Sequence, residues 1–203
     1  METTDQANAF VTDAWLTKRL NRNLRLVYAM LVKARGSGYY RSESTFSTVA
    51  GTQLYALPAT FMELLDVRLE PSTTDKFSLV EAQDSEVAAL EAASQSWPSR
   101  YQLRAGNIAM LPTPTTVVSV RLVYVPAFVA LVADADTFDG VCGFEEAAVW
   151  RTVAEMLSKD TADPSFALLR VAEWDKHIGD LAQKRAVNPP RVNRTYRKRW
   201  WST

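Results

Sequence analysis

Between Ala9 and Ala34, apolar side chains return every three or four residues, at Leu16, Leu20, Leu24, Val27 and Leu31, with arginine and lysine between them. This spacing gathers the apolar groups on one side and predicts a single long amphipathic helix. Gly36-Ser37-Gly38 ends it, and from Tyr39 the period falls to two. Thr45 to Val49 and Gln53 to Leu57 both alternate around Ala50-Gly51-Thr52, which predicts a β-hairpin closed by Pro58. Further strands are expected at Met62 to Leu69 and Phe77 to Val80, then a short helix opened by Asp84 with Val87 and Leu90 on one side. Arg100 to Arg104 and Ile108 to Leu111 flank Ala105-Gly106-Asn107 as a second hairpin. Val117 to Val125 alternates most clearly, with Val118, Val120, Leu122 and Tyr124 facing one way. Together these segments predict an antiparallel sheet of about six or seven short strands.

Helical spacing returns after a loop from Pro126 to Gly140. Val149, Val153 and Leu157, with Trp150 and Met156 beside them, are expected to form one face, and Glu145 and Glu146 occupy the first turn, where the helix dipole favours carboxylates. Asp163-Pro164 reads as an N-cap followed by proline at the first helical position. The last helix carries Ala167, Val171, Trp174, Ile178 and Leu181 at spacings of four and three, which suits packing against other helices. The expected fold is therefore α+β. A helical bundle is made from one long N-terminal helix (1–38) and two C-terminal helices (131–187), with an antiparallel β subdomain (39–130) inserted and an extended tail (188–203).

That tail differs from the rest of the chain. Pro189-Pro190 stops the preceding helix, because proline donates no amide hydrogen and disfavours helical backbone in the residue before it. Beyond it come Arg191, Arg194, Tyr196, Arg197, Lys198, Arg199, Trp200 and Trp201, with no acidic residue and almost no aliphatic ones. Such a segment cannot build a core of its own and is expected to dock on something else. Tyr196, Trp200 and Trp201 suit buried aromatic contacts, and the arginines suit acidic partners. The same composition also suits a disordered basic arm that binds DNA by charge.

The chain has 203 residues, 47% of them hydrophobic, which is enough to bury a real core. Its 23 basic and 23 acidic residues cancel, but they are sorted along the chain. Residues 17–41 hold seven basic groups and no acid, and residues from Lys184 onward hold seven more. The stretch 42–183 has nine basic against twenty acidic residues. Opposite fields on one molecule favour contact between copies or with a charged partner. Arg22, Arg25 and Lys33 on the first helix are thus expected to meet either the acidic body of a neighbouring copy or DNA, or else simply to form a solvated face. No apolar run is long enough to span a membrane, and Met1 to Asn8 is too polar and acidic for a secretory signal, so a cytoplasmic product is expected.

Candidate chemistry is thin. One cysteine, Cys142, and one histidine, His177, leave no Cys/His zinc site and no internal disulfide. Asp134-Ala135-Asp136-Thr137-Phe138-Asp139-Gly140 with Glu145 has the length of a calcium loop. Phe138, however, stands where a ligand is needed and Asp139 where glycine is needed, so a solvated linker is expected. There is no phosphate-binding glycine loop. Glu145 and Glu146 are adjacent on a helix, so their side chains diverge and cannot flank one bond. His177 beside Asp175 and Lys176 is expected to pack or face solvent rather than act as a base. No cofactor or metal is expected.

One succession of phrases carries more information than any single motif. Phe46-Ser47-Thr48-Val49-Ala50-Gly51-Thr52-Gln53-Leu54-Tyr55-Ala56-Leu57-Pro58-Ala59-Thr60-Phe61 is followed by Leu65-Asp66-Val67-Arg68. Then come Tyr101-Gln102-Leu103, Gly106-Asn107-Ile108, Leu111-Pro112-Thr113-Pro114, Val123-Tyr124-Val125-Pro126 and a Trp-, Ala- and Leu-rich helix ending near Asp160. In order and layout, over about residues 44–186, the chain resembles the head-to-tail adaptor proteins of tailed bacteriophages, the group that includes tail tubular protein A and head-completion proteins. The resemblance implies a non-enzymatic virion protein, assembled in the host cytoplasm into a ring of usually twelve copies. The ring binds beneath the portal protein after DNA packaging and offers a platform to a tail or nozzle protein, with genomic DNA passing through its channel. It also implies a C-terminal extension that reaches into the portal, a role that falls here on Arg191, Arg194, Tyr196, Arg197, Arg199, Trp200 and Trp201. The rival expectations are a sequence-independent DNA-binding protein and a tail-associated hydrolase depending on His177 or Glu145.

Overall fold

The computed structural model describes residues 11–36, 38–93, 95–133, 135–138 and 143–187, of which 184–187 as backbone alone. In chain order the elements are α1 (Asp13–Arg35), β1 (Ser42–Ser47), β2 (Leu54–Ala56), β3 (Phe61–Glu70), β4 (Phe77–Ser78), β5 (Val80–Glu81), α2 (Asp84–Ala92), β6 (Arg100–Arg104), β7 (Asn107–Leu111), β8 (Ser119–Pro126), α3 (Glu145–Lys159) and α4 (Ser165–Val187). They fall into two compact units, Met1–Arg35 with Ala130–Thr203, and Gly36–Val129. The class is α+β, as the periodicities predict.

In the helical unit, α1, α3 and α4 each pack on the other two. Leu24, Val27 and Leu31 of α1 are almost completely buried, each contributing about 1.5–3 kcal/mol by leaving water. On α3 the expected packing face is wrong. The buried residues are Ala147, Ala148, Thr152 and Ala154, while Val149 is 45% exposed. Small side chains let the helix backbones approach closely. The larger Val149, Val153 and Met156 instead line an apolar groove of about 290 Å³ with Leu16 and Leu20 of α1. At the start of α4, the Asp163 carboxylate accepts the Ser165 amide at 2.9 Å, the bond an N-cap makes. The Ser165 hydroxyl donates to the same oxygen at 2.5 Å, and these two hydrogen bonds hold the carboxyl below its ordinary range.

The second unit contains two four-stranded sheets, β1-β8-β3-β4 and β2-β7-β6-β5, rather than the single sheet expected. Val67, Leu69, Val120, Leu122 and Tyr124 of the first share one buried cluster with Ile108 and Met110 of the second. The one-sided pattern of β8 is therefore core, although the strand begins at Ser119 and leaves Val117 exposed outside it. One pairing, β5 with β6, is parallel. The hairpin of β6 and β7 forms as predicted, with Arg104 opposite Asn107 and both turn residues in the left-handed region, Ala105 at φ 39° and Gly106 at φ 85°.

The first predicted hairpin does not form. β1 pairs with β8, from Ser42 opposite Tyr124 to Ser47 opposite Ser119, whereas β2 pairs with β7. The turn exists, since the Thr52 amide donates to the Val49 carbonyl at 3.0 Å and Gly51 has φ 78°. It carries the chain from one sheet to the other. The Thr48 hydroxyl donates to the Thr116 carbonyl and accepts the Val118 amide, and the Gly51 amide donates to the Pro114 carbonyl. Segment 48–51 is thus tied to 114–118, and long-range ladders replace the local one. Likewise α2 is not capped by Asp84. The Gln83 amide donates to Glu86 Oε2 at 3.3 Å, while Asp84 Oδ1 accepts from Gln102 on β6 at 2.9 Å.

Candidate functional site

The tail residues Arg191, Arg194, Tyr196, Arg197, Arg199, Trp200 and Trp201 lie outside the described residues, as do Cys142, Asp134 and Asp139. The first-helix cations are described. Arg22, Arg25 and Lys33 are all exposed and, at helical spacing, share the side of α1 opposite Leu24, Val27 and Leu31. None of the three has an ion-pair partner among the described residues.

Arg22 also borders a cleft of about 740 Å³ between α1, α3 and α4. Its lining is rich in cations, with Arg19, Arg22, Arg151 and Lys159 beside one carboxylate, Glu155. Arg19 reaches Glu155 at 3.5 Å. Arg19 and Lys159 both stand over the Trp15 ring, at 5.3 and 4.7 Å from its centre. Arg151 is held by Asp175. At the base, Asn23 donates to the Thr152 hydroxyl at 3.0 Å, and that hydroxyl donates to the Ala148 carbonyl at 2.8 Å. The amide of Asn21 pairs with both backbone groups of Leu131, which fixes the loop before α3 to α1.

His177 and the loop before α3 are packed into the helical unit. His177 stacks on Phe144, with ring centres 5.7 Å apart, and meets Trp174 edge-on. No hydrogen bond joins it to a carboxylate or nucleophile among the described residues. Asp136 accepts the amides of Val132 and Ala133 at 2.7 and 2.8 Å, bonds that lower its carboxyl below the ordinary range. Phe138 is buried against Tyr28, so at this point the loop is packed, not solvated as expected. No group of three potential metal ligands occurs among the described residues, and no helix there is long and apolar enough to cross a membrane.

Sequence reasoning missed an ion-pair ladder across the first sheet. Arg121 on β8 bonds Glu70 of β3 through Nε and Nη2, both at 2.9 Å, and Glu43 of β1 through Nη1 at 2.7 Å. Arg41 and Lys76 add to its two ends. Hydrogen bonds from Arg121 hold both glutamates below their ordinary range, and the glutamates raise Arg121. Charged residues on strands are a visible signal, but which of them meet depends on pairing that the sequence alone misassigned.

A protein with sorted charge, open clefts between helices, and a sheet unit held by structural ion pairs offers surfaces for assembly. The class these elements define is an α+β protein with a helical unit and a two-sheet unit. The family model described as SU10 adaptor protein matches residues 2–195, and the chain belongs to that family of phage head-to-tail adaptors. Phage adaptors are structural components of the virion. No curated protein matches the chain.

Proposed function

We propose that this adaptor forms a ring, twelve copies in the form the resemblance implies, beneath the portal and presents a platform to the tail or nozzle protein. The observation that carries this reading is the family match over residues 2–195. The segment after Pro189-Pro190 serves as the anchor: α4 delivers the chain to Val187, and the following basic and aromatic residues suit acidic, apolar recesses of a portal. The exposure of Arg22, Arg25 and Lys33 on α1 supports a role for them against acidic groups of a neighbouring copy or DNA in the channel.

The test is light scattering on purified portal rings mixed with the full chain or with a chain ending at Val187. The expected result is a fixed multiple of adaptor on the portal for the full chain and none for the shortened one. Equal binding of both would move the anchor away from the tail. Binding of neither, with tight, salt-sensitive binding to duplex DNA, would replace the portal reading by a DNA-binding one.

A further inference from the structure

We infer that the cleft between α1, α3 and α4 is a docking site for an acidic amphipathic segment of a partner protein, held by the exposed apolar side chains of its lining and by Arg22, Arg19 and Lys159 beside them. The inference is independent of where the tail binds. The cleft combines two properties that rarely meet on a solvated face. Leu26 is 47% and Leu168 53% exposed, although both line a concave surface with Val171. Apolar groups left open in a concavity mark contact sites more than isolated surface ones do. Arg19, Arg22, Arg151 and Lys159 stand around them with Glu155; Asp175 already holds Arg151, whereas Arg22 has no partner among the described residues.

Charge complementarity selects the occupant. A segment with carboxylates on one side and leucine-like side chains on the other meets both the apolar and the cationic residues of the lining, as an amphipathic helix does in a groove. The Arg19–Glu155 pair is long, at 3.5 Å, and its side chains are about a third exposed, so an incoming carboxylate can share Arg19 without leaving a buried charge behind. A nucleic-acid strand fits less well. Its phosphates would satisfy the cations, but nothing in them would cover Leu26, Leu168 and Val171. Nor is Trp15 an open stacking platform, because Arg19 and Lys159 already stand over its ring.

The experiment titrates the full chain into a fluorescein-labelled synthetic peptide with leucine at helical spacing and glutamate elsewhere, followed by anisotropy. The comparisons are a peptide of the same composition in scrambled order, one with lysine for glutamate, and single-stranded oligothymidylate. The expected result is that the patterned acidic peptide binds, that Arg22→Glu weakens it by about tenfold and flattens its salt dependence, and that Leu168→Ser weakens it while leaving the salt dependence intact. Both positions are exposed, and unchanged circular dichroism would verify that the variants fold. Equal binding of the scrambled peptide, tighter binding of oligothymidylate, or no binding at all would overturn the proposal. Self-association of the protein that the peptide dissolves would also overturn it, by assigning the cleft to a second copy.

Discussion

Replacing Thr152 by valine removes one oxygen from the centre of the helical unit and keeps the side chain's shape. That oxygen accepts the Asn23 amide at 3.0 Å in a site where Asn23 is 2% and Thr152 7% exposed. The helical propensities of the two residues are close, and the hydroxyl's own bond to the Ala148 carbonyl duplicates what the helix backbone already supplies. What remains is a buried donor with no acceptor, which costs about 1–3 kcal/mol. Replacing Asn23 by leucine as well removes the orphan, so the double variant is expected to lie within about 1 kcal/mol of the parent, with a coupling of about 1–2 kcal/mol between the sites. Urea unfolding followed by tryptophan emission can isolate the effect. Trp15, Trp150 and Trp174 belong to the helical unit, and replacing Trp97, Trp200 and Trp201 by phenylalanine silences the sheet unit and the tail. If Thr152→Val unfolds at the parent's midpoint, or if the two losses simply add, the pair is not the buried hydrogen bond described and the reasoning fails.

Three further outcomes are expected. Arg121→Met should destabilise the sheet unit near neutral pH, and the difference from the parent should vanish in acid. Glu43 and Glu70 titrate below their ordinary value of 4.5 when folded, so their contribution is present above that value and disappears as pH falls through the lowered one. Unfolding midpoints measured from neutral pH downward would show this, and a constant difference would contradict it. Gly106→Ala should cost about 1–2 kcal/mol from backbone strain alone, because φ is 85° and nothing lies within 4 Å of the added methyl. A neutral result in thermal melts would refute that turn geometry. Leu24→Ala should cost about 2–5 kcal/mol by opening a cavity in the α1 core, read by the same urea assay.

The elements were more legible than their partners. Leu24, Val27 and Leu31 announce α1, Val120, Leu122 and Tyr124 announce β8, and Gly106 places the hairpin of β6 and β7. Each of these depends on neighbours close in sequence. The failed hairpin and the missed Arg121 ladder depend on which distant strand supplies the other half of a hydrogen-bond row, and the alternation of β1 and β2 is equally compatible with either answer. The tail, the strongest signal in the sequence for function, lies outside the described residues. The cleft beside Arg22 was legible only as a run of cations on α1, because its other walls come from residues more than a hundred positions away.

Periodicity assigns Val149, Val153 and Leu157 to the core because they are large and apolar, yet Ala148, Thr152 and Ala154 make the closest burial. Small residues close a helix interface through backbone approach and dispersion, and they do so without the bulkier stripe. Large apolar groups that the interior does not use, among them Val149, Leu26 and Leu168, therefore remain at groove and cleft edges. A protein whose work is assembly needs that surplus. Its loss at an exposed position changes stability by within about 0.5 kcal/mol, whereas its loss at Leu24 changes it by several times more. Stability and docking can thus be altered separately in this adaptor, and a substitution such as Leu168→Ser that weakens contact while leaving the unfolding midpoint in place marks a residue kept for its partner.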